Sequence, residues 1–460
     1  MFRKIAAITL HLCLCISGIS QPAAVYSFPL EDTTLKNQLY HAVLDKKNAL
    51  LAALDKEHRE EYRDVYEDRF ELIAALMKSS RLVAEPDAHQ YLQQVLDRIV
   101  SVNGELKPLS IRLVFSRDWW PNASSVGEGT LIVNAGLLVR LKNESELTFV
   151  LCHELAHLYL DHAGKSIRKN ISTLNSDAFR SELKKLAKQE YGAGAGLEKL
   201  FRMLAFGFRR HSRENEAEAD EMGIQFMRNT GFSGQGAISC LQTLDKVDDS
   251  SYYAGLDLPA IFNFPDYYFR KRWIQNESMI FGQMKEDGSA LTEAEKDSLR
   301  THPDCPKRIA ALEPLVLSFP AGRDFLVDAA MFNRLKDRFS VEIIEELYQE
   351  EQYALNLYYA LGLLQSGRHR DYAVYSVARV LNGLYEAQLN HRFGLVTVKE
   401  NRVNSANYNL LLRMLDRVRL DELAALAYYF CSQFRQEMAG YTAFETEWKK
   451  AQENKEKSSH

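Results

Sequence analysis

His153, Glu154 and His157 are the residues in this chain whose types and spacing prescribe a chemistry. They sit in the run Glu146-Leu-Thr-Phe-Val-Leu-Cys-His-Glu-Leu-Ala-His-Leu-Tyr-Leu160. Residues four apart on a helix share a face, so both imidazoles can be aimed at a single ion. Glu154 then stands beside the first of them, placed to take a proton from a water that the ion activates. This is the HEXXH arrangement by which zinc and a carboxylate base hydrolyse peptide bonds.

A catalytic zinc takes three protein ligands and leaves one position for water. A third histidine in the metzincin spacing needs glycine at 160 and histidine at 163, where the chain has Leu160 and Ala163. His162 is one position off and carries little weight as a ligand. The run Arg213-Glu-Asn-Glu-Ala-Glu-Ala-Asp-Glu-Met-Gly223 offers a better donor. Glu216 and Asp220 are four apart on a second expected helix and face the same way. Glu216 is expected to be the third ligand, and Asp220 to accept the N–H of a ligating histidine and fix its tautomer. Glu214, Glu218 and Glu221 read as surface charges. An acid-rich run alone is ordinarily a solvated helix face; the upstream histidine pair, which lacks a third ligand, is what sets this one apart.

The segments beginning at Asn143, Ser212 and Thr301 (the last Thr-His-Pro-Asp-Cys-Pro-Lys-Arg-Ile309) resemble a gluzincin peptidase family. That family holds the CAAX-prenyl endopeptidase and the HtpX-type proteases, and its soluble periplasmic members with a helical-repeat tail are similar in layout. The resemblance runs from about residue 80 to about 315, with the three motifs in the family's order. It implies a zinc endopeptidase with one Zn2+ per chain, a protein or peptide substrate, and a place in envelope protein quality control. His302 matches a loop histidine that, in some soluble members, covers the zinc as an extra ligand and keeps the enzyme latent. Arg308 matches an arginine near the active site, which makes it the candidate to stabilise the oxyanion. The Asn122-Ala123…Gly127 stretch is similar to one that the family brings up to its site.

The elements that must position these residues follow from periodicity. Asn143 with Glu146 three residues on is a helix-start signal with a capping acid, and Leu147, Val150, Leu151, Leu155 and Leu158 repeat at helical spacing. Leu109 to Ser116 alternates as a strand does. Thr130, Leu131, Ile132 and Val133 are expected to form a second strand. Zinc peptidases commonly hold a substrate as an added strand on a sheet edge, and Thr130–Val133 is the expected edge. Asp87 to Val102 is an amphipathic helix, and residues 21–80 read as an N-terminal helical segment. The expected catalytic domain therefore spans 81–315, with a basic insertion over 165–210 whose Gly192 to Gly196 stretch is a hinge.

From 316 to 450 apolar and aromatic residues recur at helical spacing. The runs 350–368 and 421–439 read as helical hairpins, loosely tetratricopeptide-like, although no 34-residue period can be laid down. Gly440 is placed to close the last of these helices. Residues 451–460 are polar and expected to be disordered. The fold class is thus mainly α with a small sheet (α+β): a zincin-type core followed by an all-helical C-terminal domain.

Residues 1–20 read as a secretory signal, with Arg3 and Lys4 before a short apolar stretch and cleavage near Ser20; a retained N-terminal anchor is the alternative. No later segment reaches the ~18 apolar residues of a membrane span. The formal net charge of -5 becomes two units more negative without Arg3 and Lys4, which argues against nucleic acid as a partner. Cys152, Cys240, Cys305 and Cys431 match no metal knuckle; Cys152 reads as a buried core residue, and Cys240 with Cys305 is a candidate bridge. The competing reading is a zinc-containing scaffold or chaperone that binds protein partners through its C-terminal helices. Glu154 argues against it, because a scaffold has no need of a general base.

Overall fold

The computed structural model describes residues 26–54, 56, 58–125, 129–177, 181, 213–247, 255–275, 305–401 and 404–458. Two helices, α1 (Thr33–Ala52) and α2 (Arg59–Lys78), form an N-terminal hairpin. Four strands follow within the next segment: β1 (Leu82–Val83), β2 (Arg112–Ser116), β3 (Ala123–Ser125) and β4 (Thr130–Asn134). Helix α3 (Pro86–Val102) lies between β1 and β2, with Pro86 opening it where a missing N–H costs nothing.

The sheet order is β1-β2-β4-β3. β2 and β4 run parallel, with Val114 opposite Ile132, whereas β1 and β3 are antiparallel to their neighbours. Alternation along the central pair decides its two faces. Leu113, Phe115, Leu131 and Val133 enter the main core; Val114, with Ile132 packed alongside, meets Leu39, Val43, Phe70, Ile73 and Met77 of the α1–α2 hairpin.

This topology corrects the expected edge. Thr130–Val133 lies inside the sheet, hydrogen-bonded to β2 on one side and β3 on the other. The edge strand on the β4 side is Ala123–Ser125, too short and too poor in β-branched residues to show a strand signal.

The metal-motif helix, α5 (Glu144–Tyr159), follows the short α4 (Ala135–Leu138). Its start is the expected one: the Asn143 side chain accepts from Glu146 N at 3.0 Å, and the Glu146 carboxylate accepts from Lys142 N at 2.8 Å. Glu144 is fully buried and accepts from the backbone N–H groups of Leu326, Val327 and Asp328 at 2.7–2.8 Å. It thereby ties α5 to the chain entering the C-terminal helices. Next come α6 (His162–Asn175), α7 (described over 213–228), α8 (Gln235–Val247) and α9 (Cys305–Leu317).

Beyond residue 328 the chain is helical: α10 (Ala329–Gln349), α11 (Tyr353–Ser366), α12 (Arg370–Leu389), α13 (Ala406–Arg417), α14 (Leu420–Phe434) and α15 (Thr442–Lys457), with a short turn of helix at Phe393–Val396. The change near residue 316 is one of element type, because a single apolar core continues from Val83 to Ala451. Phe115 of β2 meets Phe339 of α10 edge-on, and buried Arg117 donates to Glu342 at 2.8 Å. The α+β class with a helical C-terminal region is the observed architecture.

Three further expectations change. The runs 350–368 and 421–439 each hold one helix rather than a hairpin, α11 closed by Gly367 at φ +73° and α14 ending at Phe434 before Gly440. Residues 451–457 are helical rather than disordered: Ala451 and Asn454 are buried on the inner face of α15, so their spacing outweighs the polar composition. Cys240 and Cys305 are buried thiols and form no bridge. Among the described residues no helix is long and apolar enough to cross a membrane. Residues 1–25, Gly127, the 178–212 stretch apart from residue 181, and His302 lie outside the described residues.

Candidate metal centre

Two helices make the site. α5 carries His153 and His157 on one face, and α7 crosses it carrying Glu216 and Asp220. Gly223 permits the crossing, since a Cβ there would lie 3.0 Å from the backbone N and Cα of His153. A side chain at this point would push α7 outward and take the carboxylates with it.

The three expected ligands converge. His153 Nε2 and His157 Nε2 are 3.1 Å apart, and the Glu216 oxygens lie 3.5 Å from the first and 3.4 Å from the second. Ligands at about 2.0–2.1 Å around a tetrahedral zinc are separated by roughly 3.3 Å, so the donor set has the spacing such an ion requires. Among the described residues, these three form the group able to hold a metal.

Each histidine is also held from behind. His153 Nδ1 stands 2.9 Å from Asp220 Oδ1. Asp220 in turn takes Arg308 Nε at 2.6 Å and Nη2 at 2.8 Å, while Arg308 Nη1 lies 3.3 Å from Glu216. All three guanidinium nitrogens thus face carboxylates. Arg308 is therefore a buried counter-ion to Asp220 and Glu216, and it also lines the cleft onto which the donors open.

His162 and Glu218 were not expected at the site. His162 is buried at the start of α6; its Nδ1 is 2.9 Å from His157 Nδ1 and its Nε2 3.1 Å from Glu218 Oε2. The only sequence signal is a histidine five residues past His157, which a search for ligand spacing passes over.

The electrostatics agree with the geometry. Burial opposes charge on His153, but the carboxylates of Asp220 and Glu216 beside it outweigh that and push its pKa up to about 10. Burial also opposes charge on Glu216, yet the two histidines and Arg308 hold it well below the usual carboxylate range. Asp220 is lowered against its burial by Arg308 and His153. Glu154 is different: burial raises its pKa, only partly offset by the histidines and by the Ser125 backbone N–H. A carboxylate raised in this way is suited to carry a proton during turnover.

The donors open on a cleft of about 310 Å³, walled by Glu154, Phe149, Asn215 and the β3 residues Ala123, Ser124 and Ser125. The edge strand therefore runs beside the metal position, and its Ser125 touches the expected base.

This chain resembles known proteases over part of its length. Relatives include a putative beta-barrel assembly-enhancing protease of Vibrio cholerae, 26% identical over 259 residues, covering 55% of this chain and 49% of that protein. The beta-barrel assembly-enhancing protease of Yersinia pestis is 28% identical over 184 residues, 39% of this chain and 37% of the relative. The mitochondrial metalloendopeptidase OMA1 of Schizosaccharomyces pombe is 30% identical over 159 residues, 34% of this chain and 44% of the relative. The chain thus spans about half or less of the length of these relatives. Residues 86–316 match the profile of Peptidase family M48, half of the chain and all of the described centre. This chain belongs to peptidase family M48.

Proposed function

We propose that this chain is a zinc-dependent endopeptidase of the cell envelope. The observation that carries the reading is the His153–His157–Glu216 donor set, 3.1–3.5 Å between atoms, beside a half-buried Glu154. Zinc held there lowers the pKa of water and polarises the scissile carbonyl. Glu154 accepts the water proton on its carboxylate and returns it to the leaving amine. Asp220, backed by Arg308, keeps the His153 Nε2 lone pair turned toward Glu216 and the cleft. A substrate in extended form adds to the β3 edge through main-chain hydrogen bonds, which places its carbonyl against the metal face.

Envelope location and a role in protein quality control draw on the N-terminal targeting pattern and on the names of the beta-barrel assembly-enhancing relatives. His302, three residues ahead of Cys305 in the sequence, is proposed as a removable cover on the zinc. Protein partners at the C-terminal helices are part of the same proposal.

Wild type, Glu154→Gln and His302→Ala should be compared on casein, with zinc content measured in each. The expected result is full zinc and a loss of ~10²–10⁴-fold for Glu154→Gln, and a gain for His302→Ala. Full activity in zinc-replete Glu154→Gln would falsify the hydrolytic reading. An unchanged rate in His302→Ala would remove the cover and leave the hydrolase intact.

A further inference from the structure

His162 has no part in the chemistry above, yet it is 3% exposed and touches a ligand histidine. Its position follows from one backbone feature. Asp161 adopts a left-handed conformation, φ +51°, which turns the chain sharply between α5 and α6. His162, the first residue of α6, thereby returns to the side of α5 that carries His157.

Hydrogen accounting along this row of rings leaves one arrangement compatible with metal binding. To offer the Nε2 lone pair, neutral His157 must carry its proton on Nδ1. That Nδ1–H points at His162 Nδ1, 2.9 Å away, which must then accept. An accepting Nδ1 leaves neutral His162 with its proton on Nε2, and Glu218 Oε2 receives it at 3.1 Å. In the reverse arrangement His162 donates to His157, whose own proton then sits on Nε2 and points at His153 and Glu216. The donor set would be lost.

We infer that His162 and Glu218 form a positioning pair that locks His157 in its ligand tautomer, as Asp220 does for His153. The inference rests on the proposed zinc site. It distinguishes the two ligand histidines: His153 leans directly on a buried carboxylate, whereas His157 leans on a neutral ring whose carboxylate is 60% exposed. Partners of this kind typically contribute 10–100-fold to metal affinity.

Zinc dissociation constants from chelator competition test the pair in wild type, His162→Ala, Glu218→Gln and the double variant. His162→Ala is expected to weaken zinc binding ~10–100-fold, and Glu218→Gln by a smaller factor. In the His162→Ala background Glu218→Gln should cost nothing more, because its contact acts only through the ring. A purely structural role would give no such dependence. Glu218→Gln changes a surface carboxylate, so it remains informative if His162→Ala fails to fold. Nitrogen-15 spectra of the zinc-loaded wild type supply a second reading, with protons expected on His157 Nδ1 and His162 Nε2. Single variants within twofold of wild type, equal Glu218→Gln losses in both backgrounds, or the reverse tautomers each overturn the pair. Failure of wild type to bind one zinc would instead overturn the metal site itself.

Discussion

Two buried arginine–carboxylate pairs, one in each half of the molecule, are built almost alike. In the catalytic half Arg308 grips Asp220 through Nε and Nη2 at 2.6 and 2.8 Å. Among the C-terminal helices Arg379 grips Glu345 through Nη1 and Nη2 at 3.0 and 2.8 Å. Their outer contacts differ. The Asp220 pair ends on His153, whose far nitrogen opens on the cleft. The Glu345 pair ends on the Tyr372 hydroxyl and under the rings of Tyr348 and Tyr375, all inside the helical core. Buried charge by itself therefore says little about function; what the pair holds at its open end decides.

The largest effect expected from this comparison comes from breaking each pair. Arg308→Met and Arg379→Met each leave a buried carboxylate without its counter-ion, at a cost of about 3–5 kcal/mol. Chemical denaturation should show similar losses for both. Zinc affinity should separate them, falling in Arg308→Met and holding in folded Arg379→Met. Weakened zinc binding in Arg379→Met would dissolve the distinction between the two halves.

What was legible in the sequence follows the same line. The metal helix, its Asn143 cap and the Glu216–Asp220 face all rest on helical periodicity, which one sequence displays without tertiary information. The placement of Arg308 beside them came from family resemblance, but its commitment to Asp220 and Glu216 depends on how α9 packs against α7. His162 escaped because its position depends on the left-handed turn at Asp161; aspartate is enriched in that conformation, but a single aspartate after a helix does not by itself mark a turn. Glu218 escaped with it, since a glutamate in an acidic run looks like a surface charge until its partner is known. Strand β3 is three residues of Ala and Ser, and the sheet order that makes it an edge is set by long-range pairing. The Arg379–Glu345 pair carried no signal at all: the two residues are joined only by the packing of α12 on α10.

pH sharpens the comparison next. Asp220 and Glu216 are held below their ordinary values, so their contribution to folding is present above the unfolded carboxylate range and is lost as pH falls through their lowered values. His153 has the opposite sign. Its pKa is raised from 6.5 to about 10, so its contribution is complete below about 6.5 and is lost as pH climbs toward about 10. Protein stripped of zinc with a chelator should therefore lose thermal stability across that upper window. Zinc competes with the proton for His153 Nε2, so the zinc-loaded protein should show a flatter profile. Asp220→Asn should remove much of the slope, and Arg379→Met should leave it, because no histidine joins the C-terminal pair. An identical slope in Asp220→Asn would mean that the upper window has another origin.

The smallest effect concerns the helix caps, one in each half. Asn143 accepts from Glu146 N at 3.0 Å to start α5, and Ser405 accepts from Tyr408 N at 2.8 Å to start α13. Alanine at either position should cost about 1 kcal/mol. Position alone suggests that Asn143→Ala would also disturb the metal, since α5 carries both ligand histidines. The packing argues otherwise. A lost cap loosens the first turn of a helix, and His153 lies well beyond it. The first turn of α5 is also held by Glu144, which accepts three backbone N–H groups, and by the backbone of Ser145, which donates to Asp324 O at 3.0 Å. The histidine face is fixed further along, where Gly223 of α7 rests on the His153 backbone. The two cap variants should consequently look alike: a small drop in midpoint denaturant and an unchanged zinc dissociation constant. A weaker constant in Asn143→Ala alone would show that the metal face is set from the start of α5 rather than from its crossing with α7.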